Sequence, residues 1–361
     1  MSMFPSNRRD FVSAVGGCGA LAAISSFGSS QADAASLAQA NNALRAPTLP
    51  RALRPGMKLG IPAPAGGVSK EDLETKLRAF EQAMKLLGLE IVVAKSVLAG
   101  AHGAASFLAA PDEVRAAEFM EFVNRPDIDG IVCMRGGYGV MRILPLLDFD
   151  AIQKNPKVIS GYSDITALVN AIYQRCNLVA FHGPIAAASL DEFTQKWFLP
   201  MVYTTPPQTP VQKVVYEDDK GLVTLVSGKA NGRIVGGNLT LIASTMGTPF
   251  EINTQGAVLF LEDVGEKAYR VDRMLTQLWL AGKLQSCAAI VLGQFTETDD
   301  STGSTNVESV LKSRLASLNI PVLANFPVGH VKEKFTMPIG AMADVDSTNK
   351  RFSILEPTVR E

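Results

Sequence analysis

From Gly56 to Cys176, short apolar runs alternate with longer segments of helical spacing, and this alternation restricts the fold more than any other feature of the chain. Segment 58–67 (KLGIPAPAGG) is a short apolar strand ending in a Gly/Pro loop. In residues 70–87, Leu73, Leu77, Phe80, Met84 and Leu87 recur at three and four residues, which predicts a helix. Strands at 90–94, 130–134 and 158–160 and helices at 111–124 and 164–176 continue the pattern. Strands joined through helices cannot pair as simple hairpins. They predict a mostly parallel sheet covered on both faces.

The pattern changes across residues 200–229, where the run TTPPQTP at 204–210 predicts extended connecting chain. A second α/β block then begins near Arg233. It has strands at 257–262 and 288–293 around a helix at 269–281, and a polar loop at 298–306 before a helix at 307–318. Strands at 321–324 and 351–355 complete it. The expected division is a signal segment at 1–34, a linker at 35–55, a first domain at 56–185, a connector at 186–230 and a second domain at 231–361.

Asn7-Arg8-Arg9-Asp10-Phe11-Val12 resembles the twin-arginine export pattern. A weakly apolar Gly/Ala-rich stretch at 12–27 follows, then the small-x-small sequence Ala32-Asp33-Ala34, so a mature chain beginning near Ala35 in the periplasm is expected. Val15-Gly16-Gly17-Cys18 offers lipidation as the alternative fate; without a working signal the location is cytoplasmic. No later run approaches the roughly 20 apolar residues of a membrane span. The net charge of −1 supplies no field for nucleic acid. Cys18, Cys133, Cys176 and Cys287 show no CxxC spacing, which argues against a thiolate metal site. Cys133 and Cys287 sit in apolar runs and are expected as buried free thiols, a disulfide being the alternative.

Val158-Ile159-Ser160-Gly161-Tyr162-Ser163-Asp164 runs from strand through a tight turn into a helix. A serine there can act as a nucleophile with helix amides behind it, although Ile165 stands where the familiar G-x-S-x-G pattern has its second glycine. Ser163 or Asp164 would serve equally well as a helix cap. The Arg135-Gly136-Gly137-Tyr138-Gly139 loop can bring backbone N–H groups close to a developing oxyanion; it lacks the lysine and Ser/Thr of a P-loop. Of the three histidines, His102 lies in a loop, His182 follows an apolar strand and suits a structural hydrogen bond, and His330 follows a strand on a loop that can carry a base. Glu262 leaves an apolar strand at a position suited to orienting an imidazole.

Taken in order, Arg135-Gly136-Gly137-Tyr138-Gly139, Gly161-Tyr162-Ser163-Asp164, His182-Gly183-Pro184, Gly236-Gly237-Asn238-Leu239, Leu261-Glu262-Asp263-Val264 and Gly329-His330 resemble the motifs of the LD-carboxypeptidases, from about Gly56 to Leu355. The resemblance implies a flavodoxin-like first domain, a smaller β-rich second domain and a Ser163–Glu262–His330 triad lying between them. It also implies an oxyanion hole of the Gly137 and Asp164 backbone N–H groups, no cofactor, a murein peptide substrate that loses a terminal D-alanine, and a homodimer. Arg135 is the nearest cation for the substrate's carboxylate. Many members of the family act in the cytoplasm, so the export signal is a departure. Two alternatives stand beside this function. One is a microcin-immunity peptidase, for which Phe193, Trp197, Phe198 and Tyr203 are the aromatic candidates to clamp a base; the other is a periplasmic ligand-binding protein without catalysis.

Overall fold

Mostly apolar strands of a parallel sheet must be covered on both faces, and four nearly fully buried strands centre the first sheet. The computed structural model describes residues 46–70, 73–99, 107–205, 208–298 and 306–361, which belong to one folded unit from Ala46 to Glu361. The signal residues, Cys18 and His102 lie outside the described residues. The first sheet contains β1 (Lys58–Ile61), β2 (Glu90–Val93), β3 (Gly130–Val132), β4 (Val158–Gly161) and β5 (Ala180–His182), all parallel, in the order β5-β4-β3-β1-β2. Between them run α1 (Arg78–Leu86, entered through a π-helical turn at Leu73–Leu77), α2 (Lys95–Ala99), α3 (Asp112–Asn124), α4 (Val140–Ile143), α5 (Phe149–Lys154) and α6 (Thr166–Cys176). β3, β4 and β5 are buried throughout, whereas β2, at the edge, is only partly covered.

After α7 (Glu192–Val202) the chain builds a second sheet. Its elements are β6 (Val214–Glu217), β7 (Val223–Val226), β8 (Lys229–Asn238), α8 (Leu239–Thr245), β9 (Val258–Val264), α9 (Ala268–Leu280), β10 (Ala289–Thr296), α10 (Val307–Leu315) and β11 (Val322–Ala324). β12 (Met337–Ile339), β13 (Met342–Asp346) and β14 (Arg351–Ile354) finish the chain. The second sheet runs β6-β14-β13-β8-β9-β10-β11-β7, with parallel pairs from β8 to β11 and antiparallel flanks. β12 does not join it. It crosses back and pairs antiparallel with β5, making the first sheet six-stranded.

The second block is β-rich, and its sheet reaches eight strands by taking in β6 and β7, which precede residue 231. Residues 46–55 are not a free linker. Thr48, Arg51 and Leu53 form bridges to Leu178, Arg360 and Tyr203, and Leu53 is buried among the core side chains. That segment is extended, with only some of its side chains inward, so no helical period marks it. The expected connector likewise contains α7 and the strands β6 and β7. Among the described residues no helix is long and apolar enough to cross a membrane. Cys133, Cys176 and Cys287 are buried free thiols, and burial pushes the Cys176 and Cys287 thiols up to about 12.

The sheets are tied together behind the Ser163 turn. Asn170 of α6 donates to the Gly236 carbonyl at 2.8 Å and accepts from the Gly236 N–H at 3.1 Å. Thr166 Oγ1 accepts from the Asn238 N–H at 3.1 Å. Both helix residues are buried, so these bonds are made where water cannot compete.

Candidate active site

Ser163 leaves β4 through Gly161 and Tyr162 and takes φ = 66°, in the left-handed region that a β-carbon disfavours. Such a conformation costs of order 1–3 kcal/mol and persists only where the surroundings impose it. A 3-10 turn at Ser163–Ile165 then leads directly into α6. The glycine loop lies against this turn: a Cβ placed on Gly136 would stand 2.7 Å from the Ser163 Cβ and 3.0 Å from its Oγ. Only glycine allows that approach. Gly137 follows with φ = 114°, and the Gly66 N–H donates to the Gly136 carbonyl at 3.2 Å, bracing the loop from the first strand's exit.

The Asp164 side chain fastens the same loop, accepting from the Val140 N–H at 2.8 Å while 2% exposed. Buried Arg115 donates to the Gly139 carbonyl at 3.0 Å and also bonds Pro64 and Asp112. Burial raises the Asp164 carboxyl to about 6, against the opposing pull of the Val140 N–H and Arg115. A carboxyl whose folded pKa lies above its unfolded value holds its proton better in the folded state. Its ionisation therefore removes stability as pH rises from about 4 to about 6. Asp164→Asn keeps the acceptor and removes the charge. The variant is expected to gain about 2–3 kcal/mol relative to wild type across that interval, read by denaturant unfolding at each pH.

Glu262 and His330 reach the turn from the second sheet. Glu262 lies on β9 with its side chain fully buried, and its Oε2 sits 2.8 Å from His330 Nδ1. Burial pushes the Glu262 carboxyl up, and the His330 hydrogen bond opposes that shift. Gly329 makes the contact possible, since a Cβ there would fall 2.6 Å from Glu262 Oε2. The loop carrying His330 starts at β11 on the second sheet and ends at β12 on the first. It is therefore anchored at both ends, and it brings the His330 ring to 5.1 Å from that of Tyr162, the neighbour of Ser163. Next to Glu262, Asp263 accepts from Asn238 Nδ2 at 2.9 Å and from the Thr240 N–H at 2.9 Å, fixing the exit of β9.

Ser163, Asp164 and Gly137 thus lie on one turn and its neighbouring loop, and the Glu262–His330 pair meets that turn through Tyr162 where the two sheets adjoin. Arg135 lies in the same loop, with Nη1 donating to the Gly67 carbonyl at 2.9 Å. Two further residues belong to the site. Tyr162 packs edge-on to His330, and Lys334, 6% exposed, holds Nζ 4.9 Å from the Tyr162 ring centroid. Burial lowers the Lys334 pKa, with Asp191 and Glu262 opposing. Lys334 stands four residues after His330 in an unremarkable polar run, so only packing reveals it. The aromatic candidates for a clamp are engaged in packing, and the helix that carries three of them, α7, bonds the segment of Lys334, whose N–H donates to Thr194 Oγ1 at 3.2 Å. Trp197 packs at a tilt on Phe335 at 5.1 Å and edge-on to Tyr216 at 5.3 Å, Phe198 is buried, and the Tyr203 hydroxyl donates to the Leu87 carbonyl at 2.6 Å. Phe193 joins the same cluster through Trp197 at 6.2 Å. Among the described residues no group of His, Cys, Asp and Glu is arranged to hold a metal ion.

Comparison with known proteins agrees with this architecture. Residues 59–183 match the family model described as the LD-carboxypeptidase N-terminal domain, and residues 231–345 match that of the LD-carboxypeptidase C-terminal domain. A probable murein peptide carboxypeptidase of Bacillus subtilis is 37% identical over 319 residues, spanning 86% of this chain and 95% of the relative. The crystal structure of muramoyltetrapeptide carboxypeptidase from Oxalobacter formigenes matches with a TM-score of 0.71 at 30% identity, covering 84% of this chain and all of the other. Microcin C7 self immunity protein MccF matches with a TM-score of 0.78 at 27% identity, covering 87% of this chain and all of the other. On its sequence, its two-sheet architecture and these matches, the chain belongs to the LD-carboxypeptidase family of peptidases.

Proposed function

We propose that this protein is a serine LD-carboxypeptidase that releases the terminal D-alanine of murein tetrapeptides. The observation that carries the proposal is the 2.8 Å hydrogen bond of buried Glu262 to His330, whose ring packs on Tyr162, the neighbour of a serine held at positive φ. In this scheme His330 takes the Ser163 hydroxyl proton as Oγ attacks the amide carbonyl carbon. Glu262 holds the imidazole in the tautomer that exposes its other nitrogen to the serine. The Asp164 and Gly137 N–H groups receive the oxyanion. As the C–N bond breaks, His330 returns the proton to the departing amine. A water deprotonated by His330 then hydrolyses the acyl ester and restores Ser163. Arg135 is the proposed partner of the substrate's free carboxylate.

The carboxypeptidase names of the relatives support the murein substrate. The likeness to MccF favours a second reading, cleavage of an aminoacyl–nucleotide amide, although the aromatic residues expected to clamp a base are engaged in packing. We further propose that the chain is exported through its twin-arginine-type segment, acts on murein outside the cytoplasm and forms a homodimer. The deciding experiment is mass spectrometry of murein tetrapeptide after incubation with the purified protein, with an aminoacyl sulfamoyl adenosine in parallel. Loss of one alanine from the tetrapeptide is expected. An intact tetrapeptide beside a cleaved nucleotide would establish the second reading instead.

A further inference from the structure

The Ser163–Glu262–His330 arrangement leaves two buried polar atoms without a partner. His330 occupies one oxygen of Glu262; the other, Oε1, has no hydrogen bond among the described residues, and neither has Nε2 of His182. The two atoms face each other at 3.8 Å, with both side chains essentially sealed from solvent. That separation is about 0.9 Å longer than a normal N–H···O bond, a gap that a small shift of either side chain closes. Leaving two such groups unpaired inside a protein costs more than pairing them.

The geometry points to His182 as a positioning residue that directs its Nε2–H at Glu262 Oε1 and thereby fixes the carboxylate presented to His330. His182 ends β5 and is paired in register with Gly161 of β4, two residues before Ser163. Glu262 belongs to the second sheet. The contact therefore links the carboxylate of one sheet to the nucleophile's strand in the other. Burial, chiefly, and the neighbouring His330 push the pKa of His182 down to about 3 against a backbone hydrogen bond at His182 that raises it, so the ring is neutral and carries a single N–H, for which that backbone and Glu262 Oε1 compete. Next to a carboxylate oxygen, the proton on Nε2 is the attractive arrangement. Tyr162, Phe260, His330 and Lys334 are the other groups around this imidazole, and Asp263, Lys334, Tyr162, His330 and the Asn238 amide those around Glu262; the Asn238 amide lowers the Glu262 pKa, while its Nδ2 makes its 2.9 Å bond to Asp263 Oδ1.

The first test needs no turnover. With only three histidines in the chain, nitrogen-15 NMR of the histidine-labelled full-length protein resolves each ring, with His182→Gln and His330→Gln providing assignment. His182 is expected as the neutral Nε2–H tautomer; an Nδ1–H tautomer with a bare Nε2 overturns the inference. The second test rests on the peptidase function. His182→Phe keeps a planar ring without the N–H and should lower kcat by about 10- to 100-fold with KM little changed, the range typical of residues that orient a functional group. A carboxylate that loses a donor holds its proton more tightly, so the acid limb of kcat/KM should move to higher pH. His182→Gln, which restores an N–H, should recover most of both effects. An unmoved acid limb, with Gln no better than Phe, would mean that His182 is only packing. If the wild type releases no alanine, the peptidase function fails, while the tautomer still decides the role of His182.

Discussion

Ser163→Ala is expected to reduce D-alanine release by at least about 10³-fold while leaving the unfolding midpoint within about 1 kcal/mol of wild type. Removing the hydroxyl deletes the only atom proposed to bond covalently to the substrate. What remains is binding and the two N–H donors, which in serine hydrolases supply a residual rate well above that of water. The stability should change little, because Ser163 is only partly buried and its Oγ caps no helix. Alanine retains the β-carbon and hence the cost of φ = 66°, so the turn's strain is the same in both proteins. Release of alanine at an undiminished rate, measured by mass spectrometry on tetrapeptide, would remove Ser163 from the mechanism.

Glu262→Gln should lower kcat by about 10³- to 10⁴-fold, the scale seen when the orienting acid of such a triad becomes an amide. An amide can present an N–H to His330 Nδ1. That stabilises the tautomer carrying its proton on the nitrogen meant to face Ser163, so the base is lost although the ring stays in place. The protein should not unfold. Burial already disfavours the charged form of Glu262, so neutralising it removes a desolvation cost as well as a hydrogen bond. A steady-state assay combined with denaturant unfolding separates the two effects. Loss of activity together with loss of several kcal/mol would show that the pair acts chiefly as a structural tie.

Much of this protein is written locally. The helical spacing of Leu77, Phe80 and Met84 and the apolar runs of β1, β3, β4, β9 and β10 depend on residues a few positions apart, and the structure places helices and strands there. The Gly161-Tyr162-Ser163-Asp164 segment likewise announces a strand–turn–helix junction. It does not distinguish a nucleophile from a helix cap, because that difference depends on what approaches the serine. Glu262 and His330 are 68 positions apart, and Gly236 and Asn170 are 66.

Tertiary structure alone decides those meetings. The crossing of β12 to the first sheet anchors the His330 loop at both ends, yet three residues, Met337–Ile339, carry too little periodicity to show which sheet they will join. Ser163, at positive φ, sits against Gly136 of another loop, and His182 of the first sheet faces Glu262 of the second at 3.8 Å. Ala52, Leu53 and the aromatic side chains near Trp197 became core for the same reason. By itself the sequence determined the elements and the residues capable of the chemistry, through short-range period and side-chain type. Which of those residues meet was decided by long-range pairing and burial, interactions that no local pattern encodes.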